Sequence, residues 1–212
     1  MKKISGLYGI TPDFLDTQQL VSAVTAALTG GLRLLQYRNK LAGAALRLEQ
    51  AHALAALCRR HDACFIINDD VRLAAAADAG GVHLGAQDMA IVGAREILGC
   101  DKIIGVSCYA DLACARAAVS HGADYLAFGS FFASPSKPSA LRAGLPLLQQ
   151  ARREFALPLV AIGGIDRHNA RPLIGAGADA IAVISALFGA PDIEIAARDL
   201  NHLFEMENHD FA

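Results

Sequence analysis

Three groups of polar residues stand out in a chain that is 54% hydrophobic. The first is Gln36-Tyr37-Arg38-Asn39-Lys40, which follows an apolar run. Side chains alternate along an extended chain, so Gln36, Arg38 and Lys40 project to one side. Two cations and an amide on one side suit a polyanion, the arginine as a planar fork and the lysine as a point charge. An ordinary solvated basic loop could carry the same string. The second group is Asn68-Asp69-Asp70 with Asp88. Magnesium takes one or two protein carboxylates and completes its octahedron with waters and substrate phosphate oxygens. Asp70 reads as the cap of the following helix, which leaves Asp69 and Asp88 as the ligand pair. The third is Ser134-Pro135-Ser136-Lys137, within the polar loop 130–139. Its hydroxyls fit phosphate oxygens, and its ammonium can neutralise charge on a leaving group.

Weaker signals sit between these groups. Ser107, in GVSCY, offers a hydroxyl for a phosphate or a substrate heteroatom, and no His/Asp pattern marks it as an activated nucleophile. His83 reads as a packing or hydrogen-bonding histidine rather than a catalyst. Gly163-Gly164 and Ile184-Ser185 each follow an apolar run. Glycine lets an oxyanion reach backbone N–H groups, and a helix start favours its charge.

The elements that must position these residues recur along the chain. A short apolar run, a polar or Gly-rich turn and a longer Ala/Leu-rich segment repeat, with runs starting near residues 4, 32, 64, 81, 102, 125, 158 and 180. Helical stretches lie between them, such as 46–61 and 111–122, the latter capped by Asp111 and closed by Gly122. Glycines at Gly30-Gly31, Gly80-Gly81, Gly122 and Gly177 are expected to end helices in the left-handed conformation. GADYLAFGS and GADAIAVIS look like two copies of one strand unit. Strict β-α alternation implies right-handed crossovers and a parallel sheet. Eight strands favour closure, so the expected class is α/β, a (β/α)8 TIM barrel forming one domain over residues 1–212; a doubly wound open sheet is the alternative. In such barrels the chemistry sits where strands end and helices begin, and all the polar groups above fall at those ends.

Composition narrows the function classes. A net charge of −2 gives no reason to expect nucleic acid or an anionic membrane as partner. Cys58, Cys64, Cys100, Cys108 and Cys114 are odd in number and form no CxxC pair, which argues for a reducing compartment. The start lacks the apolar stretch of a signal peptide, and no run approaches a membrane span of about 18 residues. A cytoplasmic protein acting on small molecules is expected, its oligomeric state unspecified.

Taken in order, QYRNK (36–40), IINDD (66–70), GVHLGAQD (81–88), GVS (105–107), GADYLAFGSFFASPSK (122–137), AIGGI (161–165) and VIS (183–185) resemble the thiamine phosphate synthase family, from near the start to about residue 188. The resemblance implies a magnesium-dependent transferase that joins a hydroxymethylpyrimidine diphosphate to a thiazole phosphate, giving thiamine monophosphate and diphosphate. It implies pyrimidine diphosphate contacts at Gln36, Tyr37, Arg38, Asn39, Lys40, Asn68, Ser107 and Lys137, with Arg38, Lys40 and Lys137 supplying charge for catalysis. It implies magnesium at Asp69 and Asp88, and thiazole phosphate at Ser134, Pro135, Ser136, Gly164, Ile184 and Ser185. The chain departs from the family pattern in three places. Ser134 and Ser136 stand where threonines are common, Ala86-Gln87 where a glutamine usually follows the glycine, and Tyr37 where an apolar residue is usual. Two rivals are a thiazole tautomerase, which needs no metal-diphosphate clamp, and a non-catalytic phosphate-binding barrel.

Overall fold

A computed structural model describes residues 4–133 and 142–207. Strands and helices alternate as β1 (Gly6–Ile10), α1 (Thr17–Thr29), β2 (Leu34–Tyr37), α2 (Ala44–Arg60), β3 (Cys64–Asn68), α3 (Val71–Ala76), β4 (Gly81–Leu84) and α4 (Ile91–Leu98). The order continues with β5 (Ile103–Tyr109), α5 (Leu112–Ser120), β6 (Tyr125–Phe128), α6 (Leu145–Glu154), β7 (Leu159–Ile162), α7 (Arg171–Gly175), β8 (Ala180–Val183), α8 (Ser185–Phe188) and α9 (Ile193–Glu207). All eight strands pair in parallel in chain order, and β8 returns to β1 through Gly6↔Ala180 to Gly9↔Val183. The sheet is a closed barrel, so the open-sheet alternative falls. Every strand begins within two residues of its expected start. No helix among the described residues is long and apolar enough to cross a membrane.

Alternation along each strand divides the core in two. Residues pointing outward, such as Leu7, Leu35, Phe65, Ile67, Val82 and Leu126, pack under the helices. Those pointing inward, among them Tyr8, Leu34, Ile66, Ile103, Tyr125 and Val160, fill the barrel. β6 and β8 turn small residues inward (Ala127, Ala180, Ala182), and the two tyrosines fill the space that these leave. Their rings meet edge-on with centroids 6.1 Å apart. Glycine at 105 is what admits the second ring: a Cβ there would lie 1.9 Å from Tyr125 Cζ.

The helix-to-strand joints at the barrel's N-terminal end hold one difference from expectation. Gly31, Gly122 and Gly177 are left-handed (φ 99, 88 and 105). At the Gly80-Gly81 joint, Asp78 takes that conformation instead (φ 47). Gly81 is required for closeness, because a Cβ would meet the Ile103 carbonyl oxygen at 2.0 Å. The two GAD copies share a device. Asp124 accepts from Arg95 of α4 (2.8 Å) and from the Ile104 amide of β5 (2.7 Å). Asp179 accepts from Arg152 of α6 and from the Leu159 amide of β7, both at 2.8 Å. Each carboxylate ties a helix to the strand that follows it, which sets the N-terminal end and leaves the other rim for chemistry.

Gly105→Ala forces a methyl group into the Tyr125 ring. It is expected to cost about 3 kcal/mol or more of folding stability, the upper range for overpacking, read as a lowered midpoint in urea denaturation.

Candidate active site

At the end of β2 the side chains separate as alternation requires. Gln36 faces the barrel interior, 3% exposed, and donates through Nε2 to the Tyr8 hydroxyl at 2.8 Å. Arg38 lies beside Asp13, with Nη1 at 3.3 and 3.4 Å from the two carboxylate oxygens. The same carboxylate accepts from the Lys40 amide at 2.6 Å. Thr11 Oγ1 completes the brace by donating to the Arg38 carbonyl and accepting from the Arg38 amide, both at 2.9 Å. Tyr37 and Asn39, expected among the substrate contacts, turn their side chains the other way. Tyr37 donates to Gln50 Oε1 (2.7 Å), and Asn39 donates to that oxygen and to the Phe14 carbonyl. Gln50 is fully buried and ties β2, α2 and the loop after β1 together. These two side chains therefore hold the rim in shape and do not face its mouth.

The ends of β3 and β4 bring Asp69 and Asp88 together. Asp69 is a non-glycine residue in the left-handed region (φ 64), and its amide donates to the His83 carbonyl at 2.8 Å. Aspartate tolerates this conformation better than most residues, yet it remains uncommon. The turn separates Asp69 from Asp70, whose carboxylate caps α3 by accepting from the Leu73 amide at 2.9 Å. Asp88 Oδ2 accepts from the Gly85 amide at 2.6 Å. Burial, and then the adjacent Asp88 carboxylate, raise the Asp69 carboxyl above the usual range, while Lys40 opposes the shift. Lys40 Nζ lies 3.9 Å from Asp69 Oδ2. Two carboxylates pressed together repel unless a proton or a cation lies with them. The donor set is two carboxylates and no sulfur or imidazole, which fits a hard divalent ion bound with waters and substrate oxygens. No group of three or more His, Cys, Asp or Glu is placed to hold a metal ion among the described residues.

His83 and Ser107 lie deeper. His83 is 8% exposed and stacks on the Tyr125 ring, with centroids 5.5 Å apart and planes at 21°. Its Nδ1 lies 2.8 Å from Tyr125 OH and its Nε2 2.8 Å from Ser107 Oγ. Burial pushes the imidazole down to about 4, so the ring is neutral at physiological pH. Asn68 pairs in register with His83, and Gly105 joins His83 to Tyr125 across β5. Cys108 is fully buried, and none of the five cysteines forms a disulfide.

On the far side, residues 130–133 run beside the end of β7. Phe131 and Phe132 donate to the carbonyls of Ile162 and Gly163 at 3.1 and 2.9 Å. Gly163 and Gly164 are left-handed (φ 106 and 62), and a Cβ on Gly164 would lie 2.4 Å from the Ala133 carbonyl oxygen. Asn169 steadies the turn by donating to the Gly164 carbonyl at 3.0 Å. Ile184 precedes α8, whose first residue is Ser185, and β8 pairs with β7, so these residues follow the strand next to the Gly163-Gly164 turn. Ser134, Pro135, Ser136 and Lys137 lie outside the described residues.

Sequence reasoning missed Thr11 and Asp13, Gln50, and the two interior tyrosines. Thr11-Pro12-Asp13 directly follows β1, so a polar strand end was there to be read. Tyr8 and Tyr125 look like ordinary apolar strand residues until strand parity places them inside.

The sequence matches the family model described as thiamine monophosphate synthase over residues 7–187. It is 55% identical over 202 residues to the thiamine-phosphate synthase of Thiobacillus denitrificans, covering 95% of this chain and 96% of that one. The thiamine-phosphate synthase of Methylobacillus flagellatus is 57% identical over 201 residues, with the same coverage. Among solved structures, the thiamine phosphate pyrophosphorylase from Pyrococcus furiosus superposes with a TM-score of 0.85 at 40% identity, covering 95% and 96% of the two chains. A 3-hexulose-6-phosphate synthase, 19% identical with a TM-score of 0.71, shares the fold. With most of its length matched by the family model and its relatives aligned nearly end to end, this chain belongs to the thiamine monophosphate synthase family.

Proposed function

We propose that the rim condenses a hydroxymethylpyrimidine diphosphate with a thiazole phosphate, releasing diphosphate and thiamine monophosphate, with Mg2+ held by Asp69 and Asp88. The observation that carries this reading is the carboxylate pair beside Lys40, set next to the braced Arg38. A thiazole tautomerase has no use for such a pair, and a silent phosphate-binding barrel has no need to press two acids together.

The chemistry asks for little more than charge and position. The exocyclic amine of the pyrimidine donates electrons through its ring, so the carbon–oxygen bond can break ahead of attack. Negative charge then grows on the departing diphosphate, and bound Mg2+ supplies Lewis-acid stabilisation of that charge. Arg38 and Lys40 add preorganised positive charge, Arg38 with its guanidinium fixed by Asp13 and its main chain by Thr11. Lys137 is assigned the same task from the loop after β6. The thiazole nitrogen is already a nucleophile, so no general base is required, and the neutral buried His83 is not asked to be one. Ser134, Pro135, Ser136, Gly164, Ile184 and Ser185 anchor the thiazole phosphate, while Asn68, Ser107 and Gln36 receive the pyrimidine side. The gain from holding both partners together is positional.

Mixing both substrates with the purified protein should release diphosphate only when Mg2+ is present; release in chelator, or none with the metal, refutes the reading. Asp69→Asn separates the metal role from the fold. A carboxyl raised by folding loses stability as pH climbs from the ordinary aspartate range through the raised value. Without metal the variant is therefore expected to melt above the wild type at neutral pH and level with it in acid, while turnover falls about a hundredfold or more. Lys137→Ala is expected to lower kcat by about a hundredfold with thiazole phosphate affinity kept. Truncating Ser134 and Ser136 together should instead raise the thiazole phosphate dissociation constant about tenfold, measured by calorimetry.

A further inference from the structure

Beneath the metal and phosphate groups runs a chain of hydrogen bonds that the mechanism above does not use. It passes from Gln36 to Tyr8, to Tyr125, to His83 and to Ser107, through four contacts of 2.8 Å each. Its middle is sealed: Tyr8 is 1% exposed, Tyr125 is 0% and His83 is 8%. Only its two ends, Gln36 on β2 and Ser107 on β5, carry groups assigned to substrate. Buried polar groups must be satisfied, and a network of this depth is costly unless every member is.

Counting protons gives the chain a direction. Gln36 Nε2 donates to Tyr8, so the Tyr8 proton must find another acceptor, and the Tyr125 oxygen is the one within reach. The Tyr125 proton then goes to His83 Nδ1, which must be bare. The ring proton sits on Nε2 and is donated to Ser107 Oγ. A proton on Nδ1 would turn the Tyr125 hydroxyl back toward Tyr8 and leave the Tyr8 proton without an acceptor among the described residues. Ser107 thus accepts from below and keeps its own proton for whatever lies above it. Gln36 spends an N–H below and keeps Oε1, which takes no hydrogen bond among the described residues, as an acceptor. Reversing either end reverses every bond between, including the histidine tautomer and the glutamine amide.

We propose that Tyr8, Tyr125 and His83 are positioning residues: one proton-ordered chain that fixes Gln36 as an acceptor and Ser107 as a donor toward the substrate, selecting a 4-aminopyrimidine over its 4-oxo counterpart. The inference rests on the assignment of Gln36 and Ser107 to the pyrimidine diphosphate. An amine offers N–H to Gln36 Oε1. An oxo group sets a carbonyl oxygen against that oxygen, and relief needs the whole chain to reverse. A site built to match hydrogen-bond polarity discriminates more sharply than one built on shape. Gly105 belongs to this device, since only its missing Cβ lets Tyr125 reach His83.

Two measurements test it. Nitrogen-15 NMR of the wild-type protein should show His83 protonated on Nε2 and bare on Nδ1; the opposite tautomer overturns the proposed order, and this readout needs no substrate. The second compares dissociation constants for the 4-amino and 4-oxo forms of 2-methylpyrimidin-5-ylmethyl diphosphate, by calorimetry with Mg2+ and no thiazole phosphate. Tyr125→Phe cuts the chain at its centre, and the preference for the amino form is expected to fall about tenfold or more. A merely structural tyrosine would weaken both ligands alike, so an unchanged preference in the folded variant refutes the proposal. Tyr8→Phe cuts the chain one link away and is expected to lose the same preference; it stands in if Tyr125→Phe does not fold. Diphosphate release by the wild type is read separately: its absence with the Nε2–H tautomer present sinks the reaction, not the proton order.

Discussion

Closure of a parallel sheet through β1 and β8 is the constraint on which the rest depends. Once the sheet is closed, every second residue of every strand points into one confined volume, and the chain has no freedom to place it elsewhere. Gln36, Asn68, His83 and Ser107 share that parity, as do Tyr8 and Tyr125. Their meeting is a consequence of register: Asn68↔His83, His83↔Gly105 and Gly105↔Tyr125 form one line across four strands. A polar residue on the opposite parity has a different fate. Tyr37 and Asn39 sit within the same five-residue string as Gln36 and Arg38, yet they join Gln50 under α2 and serve as structure.

This explains what could be read from the chain alone. Strand starts were legible because each apolar run is bounded by glycine or a polar turn. The Asp70 cap was legible because it stands directly before the helical run, and its carboxylate accepts from the Leu73 amide. Tyr8 and Tyr125 were not, because a tyrosine in an apolar run looks the same whether it packs outward or holds a hydroxyl inside. Asp13 was passed over because its partner lies 25 residues later, and only the closed sheet brings β1 and β2 side by side at their ends. The glycine at 81 was identified for the wrong reason. A glycine needed for closeness and one needed for a left-handed turn are the same letter, and only the neighbouring strand tells them apart.

The two ends of the barrel divide the work. At the N-terminal end, Asp124 and Asp179 each satisfy an arginine and a strand amide, so charge there is paired and used for packing. At the C-terminal end charge is left less settled. Asp69 and Asp88 repel, Asp69 holds an uncommon backbone angle, and Lys40 reaches Asp69 only at 3.9 Å. Such tension persists where the surrounding structure over-determines it, and on the proposed reading a bound cation would relieve it.

The interior chain completes this division. In the proposed reaction the rim groups act through charge, and charge alone cannot distinguish one diphosphate from another. Discrimination between pyrimidines needs donors and acceptors whose sense is set in advance, because a free serine or glutamine rotates to suit either partner. Burying three linked groups beneath Gln36 and Ser107 removes that freedom without placing any further side chain in the mouth. On this reading the tyrosines sit deep because depth excludes water, and water would offer each hydroxyl an alternative partner and break the correlation between the ends. On the same reading the cations of the rim favour loss of the leaving group, and the neutral floor decides which ring may lose it.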